Sequence, residues 1–208
     1  GLRMAAPRDE ATLRQALREA VAVDDAPTVV RFPKGALGSA LPSVRQVGGV
    51  DVLAESGTPE VLIVAIGAFA AMGIDVGERL RAQGIGVSVV DPRWVKPLPD
   101  ALVDVARTAR LVVVIEDGIR TGGVGSAVAQ QLRDADVTVP LRTIGIPEQF
   151  LDQGKRAEVL AECGLTAQEI SRSIVECVAA DGEPAAADSS GSATQEPMPR
   201  PAEGSDVP

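Results

Sequence analysis

Three short runs, residues 61–66, 87–90 and 111–115, are almost unbroken stretches of Val, Ile, Leu and Ala, and each is followed by a segment of a different period. Side chains alternate between the faces of a strand, so a run that is apolar at every position must be buried on both faces. That is the signature of a parallel sheet covered by helices. The segments between supply the helices. Phe69, Met72, Val76 and Leu80 recur at helical spacing opposite Asp75, Glu78 and Arg79, and Gly84 closes the pattern. Pro99 opens a second helix with Leu102 and Val105 facing inward. Gly122 to Ser126 lead into a third that runs through Leu132, and residues 137–144 read as a further strand. Thr166 and Glu169 have the spacing of a capping box ahead of Ile170, Ile174 and Val178, predicting a closing helix. The expected fold is a three-layer α/β/α domain around a mostly parallel sheet of about five strands, spanning 59–180.

The amino-terminal part does not belong to that alternation. Residues 3–7 read as the end of a strand running into a turn. Asp9 can cap a helix with Leu13, Leu17 and Val21 on one face, and 28–32 is short and β-rich. Such a βα unit cannot bury both its faces alone. Residues 1–36 are therefore read as the end of another domain of a longer protein. Residues 37–58, rich in Gly, Ser and Pro without a sustained period, read as a linker, and 181–208 as a disordered acidic tail.

Composition narrows the chemistry. The net charge is −9, of which the tail carries six acids against one base, or −5, leaving −4 on the body. Neither nucleic acid nor an anionic membrane is expected as a partner. No apolar run reaches the roughly 18 residues of a membrane span, and no signal peptide is evident, which fits a cytoplasmic protein. Histidine is absent altogether. Ser-His-Asp and Cys-His nucleophile systems and histidine metal sites are thereby excluded from this chain. Cys163 and Cys177 are not spaced as a metal knuckle and read as small buried hydrophobes.

Four segments could carry a site. The glycines at 122–125 sit where a phosphate could meet helix amides, but they lack both the G-x-G-x-x-G register and a Walker lysine, so close packing is the expectation. Glu116 and Asp117 end a strand where open α/β sheets place ligands, yet neighbours on a strand point to opposite faces, which favours a turn or interface role. Trp94, in a proline-flanked loop, is expected against a partner surface. Lys34, in Arg31-Phe32-Pro33-Lys34-Gly35, is an ammonium held on a constrained loop and suited to binding phosphate as a point charge.

Together these segments resemble one family. Pro27-Thr28-Val29-Val30-Arg31-Phe32-Pro33-Lys34-Gly35 resembles the end of the pyrimidine-binding domain of 1-deoxy-D-xylulose-5-phosphate synthases. Val90-Asp91-Pro92-Arg93-Trp94-Val95-Lys96-Pro97-Leu98 is similar to a segment of transketolase-type carboxy-terminal domains, as is Glu116-Asp117-Gly118 followed by Gly122-Gly123-Val124-Gly125-Ser126-Ala127-Val128. The stretch from Ile144 to Gly154, with Cys163-Gly164-Leu165, looks most like the synthases themselves. The resemblance implies a homodimeric enzyme that condenses pyruvate with D-glyceraldehyde 3-phosphate, using thiamine diphosphate and Mg²⁺. It also implies that cofactor, metal and catalytic residues lie in segments upstream of Gly1, so that this piece is structural, dimerising and inactive alone. Lys34 falls where the family binds the aldehyde's phosphate. Two other readings share the middle motifs or the fold: the carboxy-terminal domain of a 2-oxo-acid dehydrogenase β subunit, and a stand-alone dimerisation module.

Overall fold

The computed structural model describes residues 1–35 and 38–180. The expected sheet is present, and it is larger than expected. Strands β3 (Arg45–Val47), β4 (Val50–Ser56), β5 (Val61–Ala65), β6 (Val87–Asp91), β8 (Leu111–Ile119) and β9 (Leu141–Ile146) form six strands in the order β3-β4-β6-β5-β8-β9. The four strands from β6 to β9 run parallel, and β4 and β3 extend the sheet antiparallel.

Period-two alternation builds the two apolar layers. Val61, Ile63, Ala65, Val113 and Ile115 face one side and pack against helix α2 (Ala70–Arg81) and helix α6 (Ala167–Ala180), through Val76, Leu80, Ile170 and Ile174. Leu62, Val64, Val112 and Val114 face the other side, against helix α3 (Ala101–Arg107) and helix α4 (Val124–Asp134), through Leu102, Val128 and Leu132. Every residue of β5 is buried, as its unbroken apolar run required. Helix α6 begins as its capping residues predict, with the Glu169 amide donating to Thr166 Oγ1 at 3.2 Å.

Three expectations are corrected. Residues 37–58 are not simply a linker, because β3 and β4 lie within them, and β4 pairs with β6 from Asp51↔Asp91 to Ser56↔Val87. The polar residues that disguised β4 have specific partners. Asp51 is buried and ion-paired, and Glu55 reaches across to Arg45. The strand expected at 137–144 starts only at Leu141. Trp94, expected in a loop, lies in strand β7 (Trp94–Lys96), and its indole N–H donates to Glu19 of this chain's own amino-terminal helix. The tail at 181–208 lies outside the described residues.

The amino-terminal unit is bound to the rest by a second, three-stranded sheet of order β2-β1-β7. In it β1 (Arg3–Ala5) pairs parallel with β2 (Thr28–Val30) and antiparallel with β7. Helix α1 (Glu10–Val21) connects β1 to β2. Its start is set by Asp9, whose carboxylate accepts from the Thr12 amide at 2.8 Å while the Asp9 amide donates to the Thr12 hydroxyl at 3.1 Å.

Candidate functional site

The parallel strands end at a common edge, the place where open α/β sheets bind ligands. Here Asp91 ends β6, Glu116 and Asp117 lie in the last part of β8, and the amino-terminal unit lies against this edge. All three carboxylates are buried, and each is engaged by the protein itself.

Asp91 is held by Arg8, which follows β1. Arg8 Nη1 donates to Asp91 Oδ2 at 2.8 Å and to Asp51 Oδ2 at 2.6 Å, and its Nε donates to the Leu41 carbonyl at 2.9 Å. Burial pushes the Asp91 carboxyl up to about 6, against the opposing pull of the Arg8 bond, the Arg93 amide and the Arg8 charge. Arg8 itself is raised: burial disfavours its charge, but the bonds to Asp91 and Asp51 outweigh that. For Asp9, burial is likewise outweighed, by donors from Leu41 and Thr12 and by the Arg8 charge, so its carboxyl is lowered. Arg93, with φ 56°, places its guanidinium 3.3 Å from Glu19, and the Trp94 indole N–H donates to the same carboxylate at 2.6 Å.

Glu116 and Asp117 point to opposite faces, as neighbours on a strand should. Glu116 turns toward α4, where its two oxygens accept from the Val124 and Gly125 amides at 2.9 and 2.8 Å. This is a helix cap delivered from an adjacent strand, stabilising the orphan amides of the first turn. It also accounts for the glycines. A Cβ on Gly123 would lie 2.6 Å from the Glu116 carboxylate, and one on Gly125 would lie 2.2 Å from Thr143 Cγ2 on β9. The cluster packs closely, and Glu116 already occupies its first helix amides.

Asp117 faces the other way and bridges two arginines. Arg31, just after β2, pairs with its Oδ1, and Arg156, the first residue of helix α5 (Arg156–Glu162), donates to its Oδ2 at 2.8 Å. The Arg31 amide also donates to the Ala5 carbonyl at 2.8 Å, so strand and side chain fix this residue together. Close to this bridge, Gly67 adopts φ +54, and a Cβ on it would meet the Ala6 carbonyl oxygen at 3.1 Å. Only glycine lets the two backbones approach this closely.

Lys34 is exposed and lines a cleft of about 600 Å³ between the amino-terminal unit and α2. It takes part in none of the ion pairs among the described residues. Arg156 lines the same cleft, whereas Arg31 lines a second one of about 740 Å³ beside β7 and α4. The structure thus separates Lys34 from the Trp94 and glycine segments, but it places Lys34 and Arg156 on the wall of one cleft, and the sequence does not point to Arg156. Cys163 and Cys177 are free and half-buried. The buried carboxylates suit neither a diphosphate nor its metal, since their oxygens already accept from arginines or helix amides. Among the described residues no group of three potential metal ligands exists, and no helix is long and apolar enough to cross a membrane.

Residues 43–170 match the family model for the transketolase C-terminal domain. The chain is 60% identical over 181 residues to 1-deoxy-D-xylulose-5-phosphate synthase 2 of Streptomyces coelicolor, covering 86% of this chain and 28% of that protein. It is 59% identical over 183 residues to the synthase of Frankia casuarinae, with the same coverages, and 54% identical over 192 residues to one from a Mycobacterium, covering 90% and 30%. The chain therefore spans less than a third of the length of these relatives. Among solved structures, a split-gene transketolase in the form of an inactive β4 tetramer is similar, with a TM-score of 0.68, 27% identity, and coverage of 86% of this chain and 57% of that one. The Campylobacter jejuni transketolase, at 18% identity and a TM-score of 0.65 over 84% of this chain and 26% of its own, shares the fold. With that family model matching residues 43–170, more than half of its length, the chain belongs to the transketolase C-terminal domain family.

Proposed function

We propose that this chain is the carboxy-terminal part of a 1-deoxy-D-xylulose-5-phosphate synthase. The whole enzyme condenses pyruvate with D-glyceraldehyde 3-phosphate, releases carbon dioxide, and makes 1-deoxy-D-xylulose 5-phosphate, a precursor of isoprenoids, thiamine and pyridoxal. The observation that carries this reading is the identity of 54–60% to proteins of that name along most of the chain, well outside the family-model match at 43–170. When bound, thiamine diphosphate supplies the stabilised carbanion and Mg²⁺ holds its diphosphate. In this reading both are held by segments other than this one, and the buried edge carboxylates, already engaged by arginines and helix amides, are not placed to hold either. The whole enzyme is a cytoplasmic homodimer in this reading.

The chain's own contribution is a scaffold and one substrate contact. The six-stranded sheet is a rigid base, and its ionic edge holds the Arg31–Gly35 loop so that Lys34 stands in an open cleft. Lys34 binds the aldehyde's phosphate as a point charge. A split-gene transketolase that is an inactive tetramer offers a precedent for such a piece assembling without activity.

The test is a graft. This chain replaces the corresponding carboxy-terminal segment of the Streptomyces coelicolor synthase, and product formation is assayed. We expect the graft to be active and the isolated chain to make no product. A folded, cofactor-loaded graft without activity overturns the reading. In the active graft, Lys34→Ala should raise the KM for glyceraldehyde 3-phosphate by about ten- to a hundredfold, the loss expected of one charge-assisted contact, and leave that for pyruvate unchanged.

A further inference from the structure

We infer that Arg156 is a second phosphate-binding residue, lining the same cleft as Lys34, with Asp117 as its positioning residue. This deepens the proposed function and rests on its reading of Lys34. The two cations come from parts of the chain 122 positions apart, yet both line one cleft. Arg156 is braced on two sides. Its Nη2 donates to the buried Asp117 carboxylate at 2.8 Å, and its guanidinium carbon lies 5.9 Å from the centre of the Phe69 ring. A long side chain normally loses rotamer freedom when it binds a ligand, and here much of that freedom is already gone. The side chain remains 45% exposed, so the edge not given to Asp117 is open to the cleft.

Charge accounting favours an anion. Of the other charged groups on the cleft wall, Arg8 is spent on Asp51 and Asp91, and Asp9 on the Thr12 and Leu41 amides. Asp117 neutralises at most one of its two arginines. The cleft is left with Lys34 and Arg156 opposite a single solvated carboxylate, Asp75. The fork of a guanidinium adds a directional pair of donors to the undirected charge of an ammonium, which together suit a phosphate monoester. A guanidinium braced in this way and open on one edge can take a phosphate without reorganising, and a phosphorylated aldehyde is the ligand that the Lys34 reading supplies.

The test uses the full-length enzyme that carries this chain, with D-glyceraldehyde 3-phosphate and unphosphorylated D-glyceraldehyde compared as acceptors. Arg156→Met should raise the KM for the phosphorylated acceptor about tenfold, with KM for D-glyceraldehyde and for pyruvate unchanged and kcat preserved at saturation. Arg156→Lys should recover part of the loss by keeping the charge. Asp117→Asn should move the same KM in the same direction by a smaller factor. A raised KM in Lys34→Ala with none in Arg156→Met overturns the inference and leaves the Lys34 reading standing. Unchanged values in both variants overturn both. Equal losses with the two acceptors assign Arg156 a purely structural role and also overturn the inference.

Discussion

The two apolar layers of the sheet and the carboxylates of the ionic seam along its carboxyl edge are both buried, but they are held together by opposite kinds of interaction. In the layers, Leu62, Ile63, Val113 and their neighbours contribute in proportion to the area each removes from water. Loss is graded, and a smaller side chain costs a little. In the seam, Arg8, Asp51, Asp91 and Asp117 are charges taken out of water, tolerable only because every one has a partner. Loss there depends on what is left behind. The layers make the domain stable, while the seam specifies where the amino-terminal unit sits, and with it the Lys34 loop.

The largest effect expected from this contrast is at Arg8. Truncating it strands two buried carboxylates, and Arg8→Ala should cost about 3–5 kcal/mol. Ile63→Val, in a layer, should cost only about 0.5–1.5 kcal/mol. Urea unfolding of the two variants measures the difference. The sharper version adds Asp51→Asn and Asp91→Asn to Arg8→Ala, which should restore part of the loss, since the stranded charges have gone. If the triple variant is less stable than Arg8→Ala alone, the seam is not governed by unpaired charge.

A smaller effect is expected where the two regimes meet, at the start of α4. Glu116 caps this helix from β8, and Gly125 packs it on β9. Gly125→Ala would drive a methyl group into Thr143, a strain of about 1–3 kcal/mol, although alanine is the better helix former. Adding Thr143→Ala should relieve much of it. A Gly125→Ala variant as stable as the wild type would show that β9 yields at no cost, and that the glycine serves something other than packing.

These two sites also mark what could be read from the residues alone. Strands β5 and β8 were legible because burial on both faces leaves an unbroken apolar run. The caps at Asp9 and Thr166 were legible because a cap is a local spacing. The opposite facing of Glu116 and Asp117 followed from strand alternation. Strand β4 was missed for a physical reason: Val50 and Val52 are fully buried, but between them Asp51 is polar in order to meet Arg8. Partners such as Arg8 with Asp91, or Arg31 and Arg156 with Asp117, are 39 to 86 positions apart. No local period records them, nor the bond from the Trp94 indole to Glu19, 75 positions away. Arg156 was invisible as a site residue for the same reason.

The smallest expected effect is a pH dependence that separates Asp91 from the other seam carboxylates. Its carboxyl stands at about 6 in the folded chain, against 3.8 for the unperturbed group. Between those values the folded state holds a proton that the unfolded chain has released. From this group, stability therefore rises as pH falls through about 6 toward 4, and is lost again as pH rises through 6. Asp9, Glu19 and Glu55 are shifted the other way, so their stabilisation is present above the ordinary carboxylate range and lost only as pH falls below it. That leaves a window between about pH 4 and 6 in which Asp91 holds a proton in the folded chain that it has released in the unfolded one. The groups facing it are Arg8, Asp51 and the Arg93 amide. Protonation relieves the crowding of two carboxylates on one guanidinium, since Arg8 keeps Asp51 as its counter-ion. The slope cannot exceed about 1.4 kcal/mol per pH unit for a single proton. Stability of the wild type should therefore climb by a fraction of that value per unit on acidification through the window, whereas Asp91→Asn, which carries no proton to gain, should be flat there. Urea midpoints taken at half-unit steps from pH 7 to 4 measure both curves. Parallel curves would mean that Arg8 keeps the Asp91 carboxylate charged throughout, and that ion pairing, not burial, dominates the seam at this point.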